Sequence, residues 1–380
     1  MKKGDLFKFN KAVLLSFVVF LFSPFLSIPL ILLGIVNKSK FSLILLAVLF
    51  GLVAYIYIPN LSDDKARYFE VYDHFKDGSY FELFAYLMLQ GQDFILQSMF
   101  YLASQWNISA QYVFGLVTFI SMSLILSIYH RITLKHIYTN PELRFYAIIL
   151  LCLAVPYIDL LSGTRYMFAC SFVLMAFYIG LIEKQKSSFI LLIIAAFIHF
   201  STLVFIPIFC VLFFFPEKNR IYFLIFCVSL VFIAIPSNFL LSIFDFLGLS
   251  GGLAVKKEAY LEGEDFVQNA LAESIVTRFV VFLEMIWLFV ISVYLLFFSK
   301  SEGLPKNIIL FTASVINVFY AVPTIFFRYA IVLKLLFVFF LIMEIYRYKQ
   351  KLWILVFGSI LFCIFTFQII SGLPNIIATF

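Results

Sequence analysis

The stretch "SSFILLIIAAFIHFSTLVFIPIFCVLFFF", residues 187–215, decides how this chain folds. A helix needs about 20 apolar residues to cross a hydrocarbon core of about 30 Å. This run is long for one crossing and short for two. Its polar interruption is "IHFST" at 198–202. The segment therefore reads as two short helices that enter, turn near His199 and return to the side they left. Such a break is tolerated at membrane depth where protein or a cavity surrounds it.

The rest of the chain is of the same kind. With 64% hydrophobic and 13% charged residues in 380, it is too apolar to hide its side chains in a soluble core. Apolar runs at about 12–36, 41–58, 108–130, 143–160, 163–182, 187–215, 220–243, 274–299, 304–322, 324–346 and 352–371 predict helices. The expectation is an all-α, polytopic transmembrane helical bundle of about 10–12 spans, some broken or re-entrant, forming a single integral membrane domain over 1–380. Two polar intervals interrupt it: 59–107, expected to hold short helices, and 244–273, a candidate lid with "SGG" as hinge. Cys152, Cys170, Cys210, Cys227 and Cys363 all lie in apolar runs and read as small core residues, not disulfide partners or metal ligands.

Orientation follows from the basic residues. Segments 37–40, 131–144, 183–188, 216–220, 300–306 and 346–351 carry 14 of the 27 Lys and Arg, which assigns them to the cytoplasm. The N-terminus has two readings. Either Pro24 and Pro29 break 12–36 into a re-entrant pair, or the basic tail lies outside. No small-x-small cleavage site follows the first apolar run, so a signal peptide is not expected.

On this orientation "LSDDKARYFEVYDHF" (61–75) lies on the outer face, beside Asp159, Arg165, Tyr166, His199, Ser201, Arg278 and Arg328 near the outer ends of helices. Singly, each arginine would snorkel to the interface. As a set, Arg67, Arg165, Arg278 and Arg328 come from four segments, and guanidinium forks grip phosphate oxygens in bidentate fashion. That set suits a lipid diphosphate. Lys334 and Glu284 lie about two turns inside their helices, where a charge is costly; they pair with each other, or Lys334 faces a ligand. His199 is either a hydrogen-bonded packing residue or a base and phosphate contact. A helix over 63–72 places Asp63 and Arg67 at i and i+4, with Asp64, Tyr68 and Tyr72 on a neighbouring stripe. It is either a solvated amphipathic helix or a carboxylate, Asp63 or Asp64, set to take a proton from a sugar hydroxyl while tyrosines stack on sugar rings. The outer acids show no metal-ligand spacing, and neither a cofactor nor a nucleic-acid partner is expected.

An outer Asp followed by "RYFEVY", then "SGTRYMFACSFVLMAFYIGLIEKQK", then "LLIIAAFIHFSTLVFIPIF" resembles the EpsG family of bacterial polysaccharide polymerases, close in role to Wzy-type O-antigen polymerases. The likeness is good over about 12–215 and elsewhere is a similar succession of helices. Where many relatives have Arg-Gln this chain has Arg165 and Tyr166, and in place of an acidic Glu-Pro motif it has "QDFI", with Asp93 as the acid. The resemblance implies a GT-C-like fold and a multi-pass protein of the bacterial inner membrane with a periplasmic active face. It implies glycosyl transfer between undecaprenyl-diphosphate-linked oligosaccharides, with membrane lipid and a chain-length regulator protein as further partners. Carried over, it points to Asp64 or Asp63, Tyr68, Tyr72, Arg165, His199 and Ser201. An O-antigen ligase, another lipid-linked glycosyl or acyl transferase, and a flippase of the same lipids are the alternatives.

Overall fold

The computed structural model describes residues 11–59, 63–76, 78–90, 94–162, 164–235, 275–348 and 351–377, and every regular element among them is helical. The 244–273 loop and Asp93 lie outside the described residues.

Helix α1 (Lys11–Phe22) ends before Pro24, and α2 (Ile28–Val36) takes Pro29 in its first turn, where a missing N–H costs nothing. A straight helix would put Phe17 about 28 Å from Val36. Instead the Phe17 ring lies 5.6 Å from Phe41, at the start of α3 (Lys40–Ile56). The chain folds back between α1 and α2, which selects the re-entrant reading of 12–36.

Three short helices follow: α4 (Asp64–His74), α5 (Tyr80–Gln90) and α6 (Phe94–Gln105). Then comes α7 (Ala110–His136), capped by the Ser109 hydroxyl. Helices α3 and α7 touch backbone to backbone. A Cβ on Gly51 would stand 2.9 Å from the Gly115 carbonyl, and one on Gly115 3.1 Å from that of Gly51. Such small residues permit the close van der Waals approach that drives helix association in lipid.

Next are α8 (Pro141–Ala154), capped by Asn140, then α9 (Tyr157–Leu161) and α10 (Thr164–Phe177), which widens into a π turn at Tyr178–Ile182. Helix α11 (Ser188–Ile198), a 3-10 turn at Phe200–Val204 and α12 (Phe205–Phe214) cover the segment on which the fold was decided. Phe189, at the start of α11, lies 5.1 Å from Phe209 and 5.4 Å from Phe213, near the end of α12. The segment therefore enters and returns as expected, with its turn at His199. Gly180 admits both arms, since a Cβ there would collide with Ser188 of one and Phe209 of the other.

The remainder is α13 (Asn219–Ser229, running into a 3-10 turn at Leu230–Ala234), α14 (Ile275–Val293, with a π turn at Tyr294–Phe298), α15 (Leu304–Val318), α16 (Pro323–Tyr348) and α17 (Lys351–Ile377). Among the described residues, five helices are long and apolar enough to cross a membrane: α7, α10, α14, α16 and α17. Helices α10 and α16 are buried over most of their length and form the centre. Helices α14 and α17 turn Phe282, Phe289, Leu355 and Phe362 outward, as a membrane bundle does where its surroundings are as apolar as its core.

The basic loops gather at one end, hereafter the far end. There the Arg144 Nε donates to Val36 O at 2.6 Å, Arg131 meets Glu183 at 2.7 Å, and the Asn307 amide donates to Pro216 O at 2.8 Å. The buried Glu344 carboxylate accepts the Lys300 and Ser301 N–H groups at 2.7 and 2.9 Å. These bonds satisfy loop backbone that lipid could not. The opposite end carries α4.

Candidate functional site

Helix α4 is fixed by the residue that follows Asp63 and Asp64. Lys65, fully buried, donates from Nζ to Ala54 O at 2.6 Å and Tyr57 O at 2.8 Å, and lies 4.8 Å from the Phe114 ring. The last carbonyls of α3 lack intrahelical partners and sit at the negative end of its dipole; an ammonium serves both needs. Asp63 is drawn into the same joint, accepting from the Tyr57 hydroxyl at 3.0 Å. Burial pulls the Lys65 amine down to about 7, with the Asp63 charge opposing. Between about pH 7 and 10.5 the unfolded chain thus holds the proton more readily than the folded one. The stability cost of burying this charge is complete below about 7 and is relieved as pH rises toward 10.5. Lys65→Met is expected to remove that slope. It also strands two carbonyls, at a cost of about 1–3 kcal/mol each; unfolding of purified protein across this pH range measures both effects.

Lys65, Tyr68 and Tyr72 are turned inward, and beside them Asp64 and Arg67, their charged groups 3.7 Å apart, stay open to water. Tyr68 lies against Phe100 and Phe114, and its ring is covered by the Arg165 guanidinium at 5.4 Å, a cation–π contact. Tyr72 is buried and spends its hydroxyl on Ile108 O at 2.8 Å. The structure thus gives Tyr72, expected beside a sugar, an anchoring place.

Arg165 and Tyr166 open α10. The Tyr166 hydroxyl donates to Arg328 O at 2.6 Å, tying α10 to α16, and its ring meets His199 edge to face at 5.3 Å. His199, almost fully buried, caps the 3-10 turn: its Nδ1 accepts the Ser201 N–H at 3.2 Å and lies 2.9 Å from the Ser201 hydroxyl. An Nδ1 that accepts a backbone N–H carries no hydrogen, which leaves Nε2 as the ring's N–H. Ser201 sets this tautomer.

Asp159, on α9 between α8 and α10, is the residue that sequence reasoning placed on the outer face without assigning it to the site. Its carboxyl lies in the joint field of Lys334, Glu284, Arg328 and Asp64, drawing α4, α9, α14 and α16 into one cluster. Lys334, buried on the central helix, pairs with Glu284 at 2.5 Å, the first of the two arrangements that the sequence left open. The cluster is recessed: the Thr118 hydroxyl, two turns into α7, donates to Leu160 O at 3.4 Å. Arg278 stands exposed at the start of α14.

The structure therefore brings Asp64, Arg67, Tyr68, Arg165, Tyr166, His199, Ser201, Arg328 and Lys334 to one region, and turns Asp63 toward α3. Sequence reasoning passed over Lys65 and gave Asp159 a place but no role. The signals were a lysine on the stripe of Tyr68 and Tyr72, and an acid in the otherwise apolar run "YIDLL". In the cluster, Arg67, Arg165, Arg328 and Lys334 outnumber Asp64, Asp159 and Glu284, leaving net positive charge for an anion. Among the described residues, no group of three or more His, Cys, Asp or Glu side chains is placed to hold a metal ion.

Comparison with curated proteins and with solved structures finds no match to this chain. The EpsG family model matches residues 41–376, which take in every pass from α3 to α17 and all of the cluster. The chain belongs to the EpsG family.

Proposed function

We propose that this protein is a polymerase of oligosaccharide repeat units carried on a polyprenyl diphosphate, working in a bacterial inner membrane with the far end cytoplasmic and α4 on the periplasmic side. The observation that carries this reading is the convergence of arginines and carboxylates from α4, α9, α10, α14 and α16 in a recessed cluster, within a family associated with lipid-linked glycan processing. Charges inside a membrane bundle are costly and mark substrate sites.

The reaction asks for two things that this cluster supplies. The bond from the donor sugar's anomeric carbon to the diphosphate oxygen breaks and its electron pair leaves with the diphosphate; Arg165 and Arg328 stabilise that charge, with Arg278 at the rim. A bond forms from an acceptor hydroxyl to the same carbon, and Asp64 takes the hydroxyl proton. His199, its Nδ1 already engaged, serves as an Nε2–H donor to a substrate oxygen instead of as the base. Asp63, bound to Tyr57, holds the joint.

Asp64→Asn, inserted at normal level, is expected to collapse the surface polysaccharide ladder to single repeat units on the outer face, while Asp63→Asn keeps long chains. An unchanged ladder from Asp64→Asn overturns the base assignment. Repeat units trapped inside the cell would favour a flippase.

A further inference from the structure

The interval 59–107 is polar at its start, but α5 and α6 are not. Between Leu83 and Gln90, and from Phe94 to Gln105, there is no charged residue, and Glu82, the one acid of α5, sits in its first turn. The two helices are antiparallel. Tyr80, opening α5, lies 6.3 Å from Tyr101 near the end of α6, and the Gln105 amide donates to Gly78 O and Phe75 O at 3.1 Å each. The end of α5 and the start of α6 are therefore together at the other end of the pair.

That other end points into the bundle. The ring of Phe94, which opens α6, lies 5.8 Å from Phe197 in the last turn of α11. Helix α11 rises from the far end, and Phe197 is about 14 Å along it from Ser188, well short of a hydrocarbon thickness of about 30 Å. A second ruler agrees: Leu96 and Phe100 share a core with Val113, Phe114 and Val117 in the first turns of α7. From the α4 end, α5 thus descends about 16 Å alongside the spans.

Among the described residues, its outer side has no protein cover. Tyr80, Phe81, Phe84 and Met88 are 72, 75, 49 and 62% exposed, whereas Leu83, facing α6, is 5% exposed. Phe197 and Ile193 on α11, which Phe94 of α6 adjoins, are exposed as well. The Ser98 hydroxyl is satisfied within the hairpin's own backbone, donating to Phe94 O at 2.7 Å. Trp106, 70% exposed, closes α6 at the surface level where amphipathic aromatic rings prefer to lie.

We propose that α5 and α6 form a third re-entrant hairpin, with the Phe81, Phe84 and Met88 side of α5 in contact with the acyl chains of the outer leaflet. Most of the second half of 59–107 is then membrane, not loop, and α4 rests on a lipid-embedded support. The proposal does not depend on the reaction assigned above.

Phe84→p-benzoyl-phenylalanine in the full chain, reconstituted in phosphatidylcholine liposomes and illuminated, tests it. The expected result is a mass shift of one phospholipid on the peptide holding residue 84. The same substitution at Phe81 should give the same adduct, and at Asp73, on the exposed polar side of α4, it should give none. Absence of lipid adducts at both 81 and 84 in correctly inserted protein would overturn the proposal. So would cross-links from both positions to a second copy of the chain, because that face would then be a protein interface.

Discussion

Arg165→Ala is expected to slow polymer formation by about 10²–10³-fold at normal protein level, the effect of removing one preorganised group from a developing anion. Its guanidinium lies over the Tyr68 ring of α4, and the neighbouring Tyr166 ties α10 to Arg328. Arg165→Lys should recover only part of the rate, because an ammonium keeps the charge but loses the flat contact on Tyr68 and the two-point grip on phosphate. The measurement is the initial rate of diphosphate-lipid release with purified enzyme. Wild-type rates in Arg165→Ala would remove the cluster from the chemistry.

The second large effect concerns the ion pair on the central helix. Lys334→Met leaves Glu284 buried without its cation, and Glu284→Gln leaves Lys334 without its anion; each is expected to cost about 3–5 kcal/mol of stability. The double variant Lys334→Met with Glu284→Met replaces the pair by apolar side chains and should recover most of that loss. Since the pair is neutral as a unit, its removal changes the field at Asp159 less than either single substitution does. The double variant is therefore also expected to keep polymerase activity. Stability recovered without activity would instead put Lys334 in contact with the substrate.

Much of this arrangement was legible in the amino-acid sequence, for reasons that differ by element. The hairpin at 187–215 was readable because its length matches neither one span nor two and its polar turn falls near the middle. The break in 12–36 was visible in Pro24 and Pro29, although its direction was not, because charge and length disagreed. The Lys334 and Glu284 pair was readable because two opposite charges in apolar helices have few other remedies.

Other features needed coordinates. Asp63 and Asp64 are neighbours on one helix, about 100° apart around its axis, and only the Lys65 bonds to Ala54 and Tyr57 fix which one faces the cluster. Asp159 is a lone acid near a helix end, indistinguishable in sequence from an interfacial residue until it is found within the field of Lys334, Glu284, Arg328 and Asp64. His199 left base and donor open until the Ser201 N–H was found on Nδ1. Helices α5 and α6 were overlooked as membrane elements because each is shorter than a span, and only their pairing reveals a hairpin.

The most direct test of the central claim is to supply the purified, reconstituted protein with repeat units linked to polyprenyl diphosphate and to resolve the products by length. The account predicts a ladder spaced by one repeat unit, with one diphosphate lipid released per bond formed, and its loss in Arg165→Ala. Glycan that stays one unit long, whether left in place, moved across the bilayer or transferred once to a different lipid, would contradict it.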